Sequence, residues 1–120
     1  MTTVLVVEDM VAEQDMMSHY VEESGYTVIR ANDGREALAK VMNQKPDLII
    51  TDLVMPEMNG LELCRSLRKN PDTKHLPIIA CTCKNQELDR LWGIKQGVNL
   101  YITKPYTREE LIQGIKSLLS

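Results

Sequence analysis

A chain of 120 residues can hold one domain with a real core and leaves no room for a second. Its formal net charge of -3, with both signs interspersed, excludes the concentrated basic face that nucleic-acid binding requires, so no DNA binding is expected. The amino terminus, MTTVLVVEDM, has neither the basic lead nor the apolar length of a secretory signal, and no apolar run reaches the ~18 residues of a membrane span; the expectation is a cytoplasmic chain without membrane insertion.

The β-branched run TVLVVE (3–8) reads as a buried strand. Met16, Met17, Tyr20 and Val21 follow at helical spacing, the methionine pair reading as core filling, and Gly25 fits the residue just past a helix end. YTVIRA (26–31) is the second strand, and Asp33 with Glu36 has capping-box spacing before a helix carried by Ala37, Leu38, Val41 and Met42. DLIITD (47–52) is the third strand and runs into a turn stiffened by Pro56 and released by Gly60. Asn59 with Glu62 then caps a helix carried by Leu61, Cys64 and Leu67, whose Arg65, Arg68 and Lys69 read as a solvated end favoured by the helix dipole. LPIIACT (76–82) is the fourth strand. Leu88, Leu91 and Trp92 mark a fourth helix, with Trp92 packing a helix face, and Gly97 ends it. NLYIT (99–103) is the fifth strand, and Thr107 with Glu110 caps a last helix carried by Leu111, Ile112, Ile115, Leu118 and Leu119.

Cys64, Cys81 and Cys83 are an odd number in a chain without an export signal, so they read as free thiols. Cys81 and Cys83 lie in an apolar run, where cysteine behaves as a small hydrophobe, and lack the second pair of a zinc site. His19 and His75 have no partner at ligand spacing and read as surface residues.

Strict alternation of five strands with five helices over short connections implies right-handed crossovers, hence a doubly wound parallel sheet in three α/β/α layers. The whole of 1–120 reads as one domain, and because the last helix runs to the end of the chain no output domain is expected. In such a sheet the active crevice opens at the carboxyl ends of the strands. Those ends carry Glu8 and Asp9, then Asp52, then Thr82, then Lys104 with Pro105. Crowded carboxylates repel one another unless a cation is present, and Mg²⁺ suits them because it takes hard oxygen ligands and leaves positions for phosphate oxygens. Asp52 can then act as a nucleophile toward a phosphoryl group, with Mg²⁺ and the Lys104 ammonium offsetting charge and Thr82 donating its hydroxyl.

The acidic pair ED at 8–9, DLVMPEMNG at 52–60, PIIACTCK at 77–84 and YITKP at 101–105 together resemble the receiver domains of two-component response regulators, specifically those built as a single CheY-like domain. The resemblance implies a flavodoxin-like fold with strand order 2-1-3-4-5 and a phosphoprotein switch in which Asp52 takes a phosphoryl group from a histidine kinase and becomes an aspartyl phosphate. Such a protein promotes its own phosphorylation and dephosphorylation and is not a turnover enzyme. The resemblance also implies that Glu8, Asp9, Asp52 and the Val54 carbonyl hold Mg²⁺ and that Thr82 and Lys104 bind the phosphoryl oxygens. Thr82 and Tyr101 would form the switch, the Lys104–Pro105 peptide would be cis, and Val54, Cys83 and Lys84 would flank the site and set the phosphate lifetime. A downstream protein target would read the face built from the fourth helix, fifth strand and fifth helix, Tyr101 rotating inward as Thr82 moves toward the phosphate. DRLWGIKQG (89–97) is similar to regulators from chemosensory systems that control type IV pili and surface motility.

Three other functions fit the same fold. An aspartyl-nucleophile hydrolase needs an acid-base aspartate two residues after the nucleophile, and position 54 is valine. A flavin carrier needs Gly, Ser and Thr donors in the first loop, and EDMVAEQD offers an acidic one. A pseudo-receiver that binds partners without phosphorylation is opposed by retention of the whole site.

Overall fold

Five β-branched runs form the strands, and the segments between them form the helices, in strict alternation: β1 (Thr3–Val7), α1 (Val11–Glu23), β2 (Thr27–Ala31), α2 (Gly34–Gln44), β3 (Leu48–Thr51), α3 (Gly60–Lys69), β4 (Ile78–Thr82), α4 (Glu87–Lys95), β5 (Leu100–Thr103) and α5 (Arg108–Leu119). This computed structural model describes residues 2–55, 58–83 and 86–119; Pro56 and Lys84, singled out from the sequence, lie outside the described residues. All strand pairs are parallel and the order is β2-β1-β3-β4-β5, as expected.

Two layers of helices explain the unbroken apolar strands. Successive side chains of a strand point to opposite faces, so a sheet covered on both sides must be apolar at every position. Val4, Val6, Leu48, Ile50, Ile79 and Cys81 pack on one face with Met17 and Val21 of α1 and Leu111, Ile112 and Ile115 of α5. The intervening Leu5, Val7, Ile49, Ile78, Ala80 and Tyr101 pack on the other with Ala37 and Val41 of α2 and Leu63, Cys64 and Leu67 of α3. Among the described residues no helix is long and apolar enough to cross a membrane.

The expected caps are present. Asn59 and Glu62 form a full capping box, Thr107 and Glu110 another, and Asp33 accepts from the Glu36 backbone N–H at 2.8 Å. Gly25 and Gly97 adopt φ of 96° and 104°, left-handed conformations that follow the ends of α1 and α4.

Six residues depart from their expected settings. Met17 is buried but Met16 is exposed, because consecutive residues of a helix lie about 100° apart and cannot both face the sheet. Leu88, Leu91 and Trp92 are exposed, at 65%, 57% and 49%: α4 seats on the sheet through Gly93, where an added Cβ would stand 3.2 Å from the Tyr101 ring, so its inward face is marked by a glycine and not by its large apolar residues. Cys83 is exposed, since it follows the last residue of β4, while Cys64 and Cys81 are buried; all three are free. Arg68 is no solvated helix end. Its guanidinium donates to the carbonyls of Leu76 at 2.7 Å and Gly97 at 2.6 Å and to Asn99 Oδ1 at 2.8 Å, stitching the end of α3 to the loops before β4 and β5.

Gly60 shows how closely the fold approaches the third strand's end. A Cβ there would stand 2.2 Å from the Asp52 carbonyl oxygen and 2.8 Å from Leu53 Cα, both backbone atoms that cannot swing aside. Gly60→Ala is therefore expected to destabilise the protein by about 1–3 kcal/mol, the cost of overpacking, read as a lower urea midpoint at unchanged slope; a midpoint equal to the parent's would show that this contact is not fixed.

Candidate functional site

Parallel register brings the strand ends level. Val7 of β1 pairs with Thr51 of β3, and Thr82 of β4 with Thr103 of β5, so the residues that follow, Glu8, Asp52 and Lys104, emerge side by side at the carboxyl edge of the sheet. Backbone bonds hold each of them there: Glu8 N–H donates to Ala31 O at 3.1 Å, Asp52 N–H to Val7 O at 3.2 Å, and Lys104 N–H to Thr82 O at 2.8 Å. The Lys104–Pro105 peptide is cis.

At the centre lies the Lys104 ammonium. Its Nζ donates to Glu8 Oε1 at 2.6 Å, Glu13 Oε2 at 2.6 Å and Asp52 Oδ2 at 2.8 Å. Glu8 is 1% exposed, and its second oxygen accepts the Met10 backbone N–H at 3.2 Å. The other Asp52 oxygen, Oδ1, accepts the Val54 N–H at 3.0 Å. Gln14, buried on α1, directs its amide at the carbonyls of Glu8 and Ala31 and at Asn32 Oδ1, pinning the loop after β1 to the end of β2.

Two carboxylates in one pocket are tuned in opposite directions. Burial pushes Glu8 up to about 7, and the hydrogen bonds from Lys104 and from the Met10 N–H only partly oppose it. Burial acts on Asp52 too, but there the Lys104 hydrogen bond, the Val54 N–H, the Lys104 charge and a hydrogen bond from Thr82 together outweigh it, and Asp52 stays below the ordinary aspartate value. Lys104 loses some basicity to burial and gains more from Asp52, Glu13 and Glu8, so its pKa is raised and it remains an ammonium. Asp52 is thus an ionised carboxylate beside a fixed cation, chemically able to act as an oxygen nucleophile.

Glu8, Glu13 and Asp52 each offer an oxygen within 4.8 Å of the others, so the cluster could hold a metal ion. Every donor in this cluster is a hard carboxylate oxygen, the ligand type Mg²⁺ takes. The donor set fits Mg²⁺.

Asp9, expected from the sequence among the crowded carboxylates, is exposed; it stands on the rim of a cleft of about 600 Å³ shared with Asp52, Val54, Thr82 and Cys83. Glu13 occupies the third carboxylate place, and sequence reasoning missed it. The signal was its position in the first turn of a helix that starts three residues after Glu8, which turns position 13 back over the strand end. Nor does Asp9 cap α1: the N-cap is Met10, with no side-chain bond. Thr82 is buried at the cleft's inner wall, Val54 and Cys83 line its mouth, and Lys84 lies outside the described residues. Tyr101 is 6% exposed, its ring against Gly93 and 5.0 Å beneath the Arg90 guanidinium. A wider cleft of about 740 Å³ opens elsewhere, lined by residues such as Val41, Asp47, His75 and Leu76, and none of the site residues lines it.

A family model described as the response regulator receiver domain matches residues 4–116. Protein PilH of Pseudomonas aeruginosa is 36% identical over 120 residues, covering 100% of this chain and 99% of PilH. The alkaline phosphatase synthesis transcriptional regulatory protein PhoP of Bacillus subtilis is 38% identical over 116 residues, and the match covers 97% of this chain but 48% of PhoP. Among solved structures, the chemotaxis protein CheY4 of Vibrio cholerae superposes with a TM-score of 0.93 at 34% identity over 99% of both chains. The signal receiver domain of a signal transduction histidine kinase from Syntrophus aciditrophicus does so with a TM-score of 0.92 at 36% identity, covering 99% of this chain and 90% of that one.

The raised pKa of Glu8 has a signed consequence for stability. Between its ordinary value of 4.5 and about 7 the folded protein holds the Glu8 proton more tightly than the unfolded chain, so Glu8's contribution is complete below 4.5 and is lost as pH rises through about 7. Asp52 acts oppositely, its contribution being present above 3.8 and lost as pH falls through its lower folded value. In metal-free buffer, Glu8→Gln is expected to flatten the decline in urea-unfolding free energy from pH 5 to pH 7.5; an unchanged slope would show that Glu8 does not carry it.

Proposed function

Because the chain belongs to the response regulator receiver domain family, we propose that it is a phosphoryl-accepting switch in which Asp52 takes a phosphoryl group from the phosphohistidine of a histidine kinase. The observation that carries this reading is Lys104 Nζ at 2.8 Å from Asp52, with Thr82 hydrogen-bonded to the same carboxylate. An ionised Asp52 oxygen attacks phosphorus in line, the P–O bond forms as the P–N bond breaks, and the electron pair leaves with the imidazole nitrogen. Lys104 and Thr82 donate to the phosphoryl oxygens as charge moves onto them. Glu8, Asp9 and Asp52 with the Val54 carbonyl would hold Mg²⁺, Glu13 being a further oxygen donor in the same cluster, and the ion when bound offsets the negative charge shared by the carboxylates and the phosphoryl group.

Val54 and Cys83 at the mouth, together with Lys84, govern how water reaches the phosphorus and so set the phosphate lifetime. The chain works in the cytoplasm on a downstream protein, and its likeness spans 99% of PilH. The likeness of residues 89–97 to motility regulators, with the identity to PilH and the fold shared with a chemotaxis protein, supports a chemosensory pathway governing surface motility.

The buried position of Tyr101 changes how the switch is described. With the ring already inside, phosphorylation need not drive it there. Thr82, drawn to the phosphoryl group, instead stabilises the arrangement of α4, β5 and α5 in which Tyr101 is packed, and a ligand can shift that equilibrium only by its differential affinity for the two states.

Two experiments test the reading. With phosphoramidate and Mg²⁺, mass spectrometry should find one acid-labile phosphoryl group on Asp52 in the parent and none in Asp52→Asn, with the label lost in EDTA; labelling of the Asn variant at the parent's rate would end the proposal. With beryllofluoride and Mg²⁺, amide resonances should shift across α4, β5 and the start of α5 in the parent, while Thr82→Ala keeps only the shifts beside Asp52. A Thr82→Ala response equal to the parent's would show that Thr82 does not couple the site to that face.

A further inference from the structure

Arg90 and Gly93 stand three residues apart on α4 and so share one face of the helix. Both meet Tyr101. A Cβ on Gly93 would stand 3.2 Å from the ring, and the Arg90 guanidinium lies over the ring at 5.0 Å from its centroid. The guanidinium holds more than the ring. Its Nη1 donates to the Tyr101 carbonyl at 3.3 Å and its Nη2 to Thr103 Oγ1 at 3.3 Å. Thr103 is the β5 partner of Thr82 and immediately precedes Lys104. One side chain of α4 therefore touches the ring, the strand that carries it and the neighbour of Thr82. The large apolar side chains of the same helix, Leu88, Leu91, Trp92 and Ile94, are exposed.

We propose that Arg90 is a positioning residue for the switch: a latch that fastens α4 to β5 over Tyr101 and holds the ring packed in the unmodified protein. A cation is attracted to the face of an aromatic ring only while the ring lies beneath it, so a Tyr101 swung toward solvent forfeits that contact. The two N–H bonds also hold α4 in its present position along β5. Arginine suits this task. Its planar fork can lie over the ring while two nitrogens reach the Tyr101 carbonyl and Thr103 Oγ1, whereas a lysine ammonium is a single point charge that cannot span all three.

The latch is read from packing, and its service to the switch rests on Asp52 being the phosphoryl acceptor. With Arg90 in place, phosphorylation meets an arrangement of α4 and β5 that is already favoured. Without it, the resting population moves toward the outward ring, and part of the free energy of the phosphoryl contacts goes into restoring the packed one. The latch also faces outward. Arg90 lines, with Thr103, Glu110 and Gln113, a cleft of about 450 Å³ formed by α4, β5 and α5, so the position of the ring sets where a cation stands on that face.

The chain has four tyrosines, and 3-fluorotyrosine labelling with Tyr101→Phe as the assignment control isolates the Tyr101 fluorine signal. Parent, Arg90→Leu and Arg90→Lys are recorded in Mg²⁺ with and without beryllofluoride, together with amide spectra and melting temperatures. Without beryllofluoride the parent signal should lie at the packed position. In Arg90→Leu the ratio of packed to outward ring should fall about two- to fivefold, the scale of an exposed cation–π contact, with Arg90→Lys between the two. Beryllofluoride should return both variants toward the parent signal. A purely structural role lowers the melting temperature and leaves the resting Tyr101 signal where the parent has it; that result in Arg90→Leu would overturn the latch, and if Arg90→Leu does not fold, the same result in Arg90→Lys would do so. A parent whose amides beside Asp52 do not respond to beryllofluoride would overturn the receiver reading and the latch's service to a switch, while the resting signals still decide whether Arg90 holds the ring.

Discussion

The Lys104 ammonium holds the functional end of this molecule together. One cation, 2.6 to 2.8 Å from three carboxylates, ties the end of β5 to the ends of β1 and β3 and to the first turn of α1. Without it, Glu8 would be a buried anion with no counter-charge, and its repulsion from Asp52 would fall on the backbone that carries both. The ammonium is itself only 7% exposed, so the attraction acts where water screens little. Its position depends on the parallel register, which sets Thr51 beside Val7 and Thr103 beside Thr82 before the chain leaves the sheet.

The same cation produces two different acids. Glu8 and Asp52 both touch Lys104 and both are partly desolvated, yet the former is pushed up to about 7 and the latter is lowered. Burial wins at Glu8, which sinks beneath the loop that Gln14 fastens. At Asp52 more donors converge, because the chain turns sharply there and aims the Val54 N–H back at Oδ1 while Thr82 approaches from β4. The turn is close enough that α3 must begin with a residue lacking a side chain, Gly60. A carboxylate that stays ionised and a neighbour pushed up to about 7 follow from placement alone, since the two share their chemistry.

The doubly wound parallel fold was legible because β-branched runs at near-regular spacing admit few arrangements, the strand order followed from the resemblance to receiver domains, and residues at strand ends inherit their position from the sheet. That logic located Glu8, Asp52, Thr82 and Lys104. It could not locate Glu13, whose place depends on where α1 begins and how its first turn is rotated, and α1 begins at Val11 behind an N-cap, Met10, that makes no side-chain bond to announce it. Arg68 was misread for a related reason: its partners are carbonyls of Leu76 and Gly97, and a carbonyl leaves no mark in a sequence. On α4 the apolar spacing pointed the wrong way, since the residue facing the sheet is Gly93.

That glycine bears on how a small chemical event at Asp52 can reach a surface. A helix fixed by several large side chains would need a large energy to move, because a packed core resists shear. Gly93 instead brings the backbone of α4 against the flat ring of Tyr101, and Leu88, Leu91 and Trp92 remain in water, so α4 contributes little burial to resist displacement. Tyr101 sits in β5, two residues before Thr103, the partner of Thr82, and three before Lys104. Both groups expected to meet the phosphoryl oxygens therefore adjoin the strand on whose tyrosine α4 rests. In the proposed switch, a shift at either one would pass along the strand to α4, the helix whose buried contact with the sheet is made by a glycine.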